Sequence, residues 1–217
     1  MRGTLMLHMG QIGSPRPLSR ASGFDRGTPI DRYYIERFLA VHSADIRGHV
    51  LEVGDDGYSR RFGGGRIAHQ DVLHIDQSNP QATIVGDLAG PEVLPPNTFD
   101  CIILTQTLQY VFDLPAAMNQ VRAALRPGGV ALITVPAVAP ICNDQWGECF
   151  YWRFSEPSLT RLLNGAFDPA SVTVAAFGNL YAASLFLHGA AVEEASREKL
   201  QTTEPGYAVV IGARAVA

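Results

Sequence analysis

Short apolar runs recur along the chain, separated by glycine-rich, polar or helically patterned stretches. His49–Val53, Val72–Ile75, Ala82–Val85, Phe99–Leu104 and Val130–Val135 read as strands, and Ser171–Phe177 and Tyr207–Ala213 alternate or run apolar as two more would. The first five are apolar on both faces, the pattern of a parallel sheet covered by helices. From Pro29 to Ala44 the residues Ile30, Tyr33, Tyr34, Phe38, Leu39 and Val41 recur at helical spacing between Asp31, Arg32, Glu36 and Arg37. Pro29 suits a first helical position. A second helix is predicted over Leu114–Leu125 with Asp113 as its cap, and a third over Ser155–Leu163 with Ser155 as N-cap. Leu180–Leu200 is rich in Ala, Leu and Glu and is expected to be helical, whereas Pro136–Phe150 has no period and reads as a loop. The pattern therefore predicts one α/β domain: a doubly wound, mostly parallel seven-stranded sheet with helices on both faces.

Bulk properties narrow the chemistry. At 217 residues and 47% hydrophobic content the chain can fill one core. The formal net charge is −4 with no long run of either sign, so no electrostatic footprint for nucleic acid or an anionic membrane is present. Three cysteines, Cys101, Cys142 and Cys149, lack close paired spacing and suit a reducing compartment, hence an expected cytoplasmic location. The apolar start is broken by His8, Gly10 and Gln11, and no segment approaches the roughly 20 apolar residues that span a bilayer. Gly13, Ser14, Pro15, Pro17 and Ser19 lead us to expect a flexible arm over residues 1–22 and the globular domain over 23–217.

Ligands of open α/β sheets settle outside the carboxyl ends of the strands, so the residues following each strand matter most. Three signals occur there in order. Val50-Leu51-Glu52-Val53-Gly54-Asp55-Asp56-Gly57 is a strand ending in an acid and a glycine, Phe99-Asp100-Cys101-Ile102-Ile103-Leu104-Thr105-Gln106 is a strand running out into polar residues, and Leu125-Arg126-Pro127-Gly128-Gly129 is a helix stop and tight turn before another strand. A dinucleotide's pyrophosphate would be repelled by Asp55 and Asp56, which counts against a dehydrogenase.

These three segments, over about Gly23 to Leu163, resemble the class I S-adenosylmethionine (SAM)-dependent methyltransferases, in particular a methyltransferase type 11-like subgroup often associated with glycosyltransferases. The resemblance implies a Rossmann-like fold and SAM as cofactor, with S-adenosylhomocysteine as product. It implies that Gly54 lets the backbone approach the methionine part, with Glu52 and Asp55 as acceptors for its ammonium group. Asp76 matches the acid that receives the ribose hydroxyls, Asp71 being the competing candidate, while Asp87 and Leu88 match positions beside the adenine and Thr105 and Gln106 the floor near the reactive methyl. The helix preceding the first strand (residues 23–46) often lids the site, which makes Tyr33 a candidate for a cation–π contact with the sulfonium; Tyr33 and Tyr34 read equally well as core residues. The turn carries Asp56 and Tyr58 where the family has small residues, and Tyr110 stands where many relatives have a histidine.

The acceptor side is expected over residues 136–165. Trp146, Tyr151, Trp152 and Arg153 combine rings with a cation, which suits a polar molecule with apolar faces such as a sugar. Core anchoring by Trp152 and Phe154, with Arg153 capping a carbonyl or pairing with an acid, is the competing reading. Asp144, Glu148 and Tyr151 are the candidate proton acceptors. Among the histidines, His49 and His74 read as structural, and His42, His69 and His188 show no carboxylate partner by spacing; no metal is expected. The function expected is methyl transfer from SAM to an oxygen of a small polar acceptor, a sugar of a polysaccharide or glycosylated metabolite for instance. The alternatives are N-methylation of a small molecule and a methyltransferase-fold subunit that has lost transfer. The expected partner is the small-molecule acceptor, with neither nucleic acid nor membrane, and a homodimer stays open.

Overall fold

The computed structural model describes residues 13–141 and 146–217. Seven strands form one sheet: β1 (Gly48–Val53), β2 (Ile67–His74), β3 (Ile84–Val85), β4 (Phe99–Thr105), β5 (Leu125–Pro136), β6 (Val172–Phe177) and β7 (Val210–Val216). Their order is β3-β2-β1-β4-β5-β7-β6, and β7 alone runs against the others. The strand order reverses between β1 and β4, so a crevice opens outside their carboxyl ends.

Helices cover both faces because the strands alternate two sets of apolar side chains. Leu51, Ile102, Leu104, Ala131 and Ile133 face one core, closed by α3 (Leu114–Ala124) and α4 (Glu156–Leu163). Val50, Cys101, Ile103 and Leu132 face the other, closed by α1 (Ile30–Val41), α2 (Gly57–Gly63) and α5 (Leu180–His188). Caps define several ends as the sequence predicts: Asp113 accepts from the Ala116 N–H at 3.1 Å, and Ser155 exchanges hydrogen bonds with Ser158 in a capping box.

Four expectations change. The stretch 180–200 is not one helix: α5 stops at Gly189, whose φ of +70° is left-handed, and a separate short helix, α6 (Arg197–Gln201), follows. A Cβ on Gly189 would also lie 2.5 Å from the Ser19 carbonyl, so the same glycine admits the N-terminal segment. That segment is accordingly anchored at its end, where the Leu18 N–H donates to the His188 carbonyl at 2.7 Å and Ser19 is buried. The second difference is β2, which begins at Ile67, five residues before the strand read from the sequence. Third, β7 runs on to Val216. Fourth, two histidines do have carboxylates nearby: His69 Nε2 lies 3.6 Å from Asp71, and His42 Nδ1 lies 3.9 Å from Asp45. Among the described residues no helix is long and apolar enough to cross a membrane.

Helix α1 is seated on β7 by the absence of a side chain at Gly212. A Cβ there would fall 2.7 Å from the Phe38 ring and 3.0 Å from Phe177, whose rings meet edge to face. Gly212→Ala should therefore destabilise the fold by roughly 1–3 kcal/mol through overpacking. Denaturant unfolding measures this, and an unchanged midpoint would mean that α1 packs elsewhere.

Candidate active site

The turn after β1 is built around one buried acid. Glu52 is 1% exposed, and its Oε1 and Oε2 accept the backbone N–H groups of Tyr58 at 3.2 Å and Ser59 at 2.7 Å. Burial pushes its pKa up to about 7, against the pull of these amides. The carboxylate thus ties the strand end to the first turn of α2 and shapes the intervening loop. Within that loop Gly54 takes φ +96°, donates to the Leu73 carbonyl at 2.9 Å and accepts from Asn79 Nδ2 at 2.6 Å. A Cβ on Gly54 would meet nothing within 4 Å, so the backbone borders open space that only a glycine leaves clear. Asp55 is exposed and accepts the Gly57 N–H at 2.8 Å, while Asp56 pairs with Arg60 at 2.6 Å.

The acids after the next strands fall as follows. Asp76 stands exposed beyond the carboxyl end of β2, accepting the Ser78 N–H at 2.8 Å, and those bonds together with His74 hold its pKa below the usual carboxylate range. Asp71 lies within β2, bound by His49 Nε2 and the Thr83 hydroxyl, each at 2.6 Å. Of the two, only Asp76 is at the edge where ligands of such sheets lie. Asp87 is exposed and accepts the Ala89 N–H at 2.9 Å. Leu88 is 4% exposed and its side chain packs into the α3 side of the core.

Beyond β4 lies a cavity of about 250 Å³. Thr105 and Gln106 form part of its lining, and Gln106 holds φ +49°, a left-handed conformation uncommon for a side chain of its size. Two buried polar atoms of this lining, Gln106 Nε2 and Gln109 Oε1, have no hydrogen-bond partner among the described residues. Such groups cost on the order of 1–3 kcal/mol each when left unmatched, and they fit a site completed by a polar ligand. Tyr58, Tyr110, Trp146 and Phe150 supply rings, and α1 contributes Asp31, Arg32 and Ile35. The Asp31 carboxyl is desolvated, which pushes its pKa up to about 6 against the Arg32 amide it accepts at 2.9 Å. The Arg32 guanidinium sits over the Phe24 ring at 4.9 Å and within 5.8 Å of the Tyr58 centroid.

Of the acceptor-side residues predicted from sequence, Trp146 lines this cavity; Tyr151, Trp152 and Arg153 do not. Tyr151 is exposed and meets Phe112 edge to face, Trp152 Nε1 donates to the Val111 carbonyl at 2.9 Å, and Arg153 donates twice to the Ala139 carbonyl, at 3.0 and 2.9 Å. Arg153 therefore caps a carbonyl, the competing reading of its role, because the loop after β5 needs that oxygen satisfied. Glu148 is exposed and outside the cavity lining, and Asp144 lies outside the described residues. Tyr33 also stands outside it, its hydroxyl 3.3 Å from Arg37 Nη1, while Tyr34 is a core residue donating to the Leu200 carbonyl at 2.9 Å. Sequence reasoning missed Asp31, Arg32, Gln109 and Phe150. From the sequence Asp31 and Arg32 read as part of the polar face of α1, although Asp31 and Ile35 share a face one turn apart.

Comparisons with known proteins identify the family and the fold. Residues 11–166 match the methyltransferase domain family, so the chain belongs to that family. No curated protein matches it by sequence. Among solved structures, the chain is similar to a SAM-dependent methyltransferase from Archaeoglobus fulgidus at 12% identity, covering 86% of this chain and 94% of that one with a TM-score of 0.56. It is also similar to one from Mesorhizobium loti at 17% identity, covering 90% and 100% with a TM-score of 0.54. The third is the Haemonchus contortus phosphoethanolamine N-methyltransferase 2, solved with S-adenosyl-L-methionine, at 14% identity, 92% and 60% coverage and a TM-score of 0.52. The fold is that of the class I SAM-dependent methyltransferases, and SAM is the cofactor.

The chain's own residues fit that group. Gly54 leaves a cradle that a Cβ would fill, and Thr105 and Gln106 close the end of β4 across the switch point. Gly54→Val should abolish SAM binding in a folded protein, since a β-branched side chain resists φ +96° and fills the cradle; calorimetry showing unchanged affinity would move the cofactor away from β1. Asp76→Ala should weaken SAM binding on the order of tenfold, whereas Asp71→Ala should lower stability and affect SAM much less. The reverse order of the two affinities would place the ribose further back along β2.

Proposed function

We propose that the protein transfers the methyl group of SAM to a hydroxyl oxygen of a small polar acceptor, with a sugar or another polyhydroxylated metabolite as the acceptor class. The observation that carries this reading is the pairing, in one cavity beside β4, of a desolvated carboxyl on Asp31 with aromatic rings and unmatched amide atoms. A hydroxyl must lose a proton as it is methylated, and a nearby carboxylate meets that need. Tyr110, Trp146 and Phe150 offer faces for the apolar side of a sugar ring, and Gln109 and Arg32 offer polar contacts for its hydroxyls.

Bound SAM supplies a methyl group already activated by the sulfonium. What the chain then does is hold the acceptor in line, exclude water and take up the proton. In this reading Asp31 Oδ2 takes it: Oδ1 already accepts the Arg32 amide, which fixes the carboxyl's orientation. Arg32, held over Phe24, keeps a positive charge at the cavity wall and limits how far the Asp31 pKa can rise. Glu148, Tyr151 and Asp144 are alternative bases of this proposal, and Asp31 is preferred because it lines the cavity.

Transfer of labelled methyl from SAM to a panel of monosaccharides, phenols and primary amines tests the proposal. Incorporation into hydroxylated acceptors is expected; transfer to amines alone would overturn the oxygen assignment, and SAM binding without transfer to any class would favour a subunit that has lost activity. With a working acceptor, kcat/KM should fall as pH drops through about 6, because only the ionised Asp31 accepts a proton. Asp31→Asn should lower kcat on the order of a hundredfold and remove that acid limb while SAM affinity holds. An acid limb that persists unchanged in the variant would assign the base elsewhere.

A further inference from the structure

A second cluster of chemistry-bearing side chains lies within the sheet, away from the carboxyl ends of the strands. His49 on β1 is directly paired with His69 on β2, and Asp71 follows His69 by two residues, so all three project from one face of neighbouring strands. His49 Nε2 lies 2.6 Å and His69 Nε2 3.6 Å from the same oxygen, Asp71 Oδ2, and the two imidazoles meet edge to face at 4.4 Å. One ligand atom from each residue falls within 4.8 Å of the others.

We propose that His49, His69 and Asp71 bind one divalent transition-metal ion of the zinc class. Ligands around a tetrahedral zinc stand roughly 3.3 Å apart, given bonds of about 2.0–2.1 Å, so small side-chain rotations from the present geometry close the set. Two imidazoles with one carboxylate suit zinc, cobalt or iron(II), whereas calcium and magnesium require oxygen ligands.

Two further features set this cluster apart from an ordinary histidine–acid contact. The second carboxylate oxygen, Asp71 Oδ1, accepts the Thr83 hydroxyl at 2.6 Å, the kind of outer hydrogen bond that orients a ligating carboxylate. Side-chain exposure is graded: 14% for Asp71, 19% for His49 and 64% for His69. Two ligands are thus held by the sheet while the third faces solvent, which leaves a path for the ion and room for water in the remaining position. The site would join the first residues of β1 to the first half of β2, and it contains none of the residues assigned to methyl transfer.

Chelator-treated protein titrated with zinc chloride tests the proposal, with cobalt(II) as a spectroscopic probe and thermal unfolding as a second readout. One equivalent of cobalt(II) should bind the chelator-treated chain with the visible absorption of a four- or five-coordinate centre, and one equivalent of zinc should replace it, abolish that absorption and raise the midpoint of unfolding. His69→Ala, at the most exposed ligand, should weaken zinc binding at least tenfold without loss of fold, and Asp71→Asn should do the same while keeping the shape of the site. His74→Ala, at the separate His74–Asp76 contact, should leave binding unchanged. Absence of binding in the native chain, or binding that survives His69→Ala and Asp71→Asn intact, would overturn the proposal and leave a hydrogen-bonded His–Asp pair.

Discussion

The hydrogen bonds from the start of α2 to the Glu52 carboxylate are the constraint on which the crevice depends. A buried acid in an apolar strand is costly, and it is tolerable here because two backbone amides at the first turn of α2 converge on it. The consequence is geometric. With the strand end and the helix start fixed at one point, the chain between them must turn sharply, and Gly54 takes up the left-handed conformation that the turn requires. Its open side then faces the crevice at the reversal of strand order, where β4 brings Thr105 and Gln106 from the opposite side.

This division of labour separates shaping from binding. Glu52 shapes the loop, Gly54 leaves it open, and the exposed Asp76 and Asp87 at the strand ends stand where polar groups of a ligand can reach them. Across the switch point the cavity is lined by α1 and by the segment after β5, two elements about a hundred residues apart in the sequence. Under the proposed function, packing between distant parts of the chain would set the acceptor chemistry, and one cofactor crevice could serve different acceptors.

That division also explains what the sequence made legible. The sheet, its helices on both faces and the glycine turn follow from local signals: apolar runs, caps, and Gly54 after an acid. Helix α2 was not foreseen because Gly57-Tyr58-Ser59-Arg60-Arg61-Phe62-Gly63 is short and begins and ends in glycine; its start is held by Glu52, a contact across the loop. Starting β2 at Val72 hid His69 and Asp71 as same-face neighbours, although their spacing of two is a strand signal once the strand begins at Ile67. Tyr151, Trp152 and Arg153 looked like an acceptor cluster by composition, but their polar groups or rings are engaged by Val111, Ala139 and Phe112. Asp31 was illegible for the converse reason, since an acid in the first turn of a helix is ordinary and only the cavity beside it suggests the role proposed for it.

Hydrogen–deuterium exchange of the protein with and without S-adenosylhomocysteine tests the central claim, that the crevice between the ends of β1 and β4 holds the cofactor. Added protection is expected over residues 53–59, 74–79 and 104–110, with none at the opposite end of the sheet around Arg47, Gly128 and Arg214. Protection confined to that opposite end, or its absence from the Gly54 turn at saturating ligand, would contradict it.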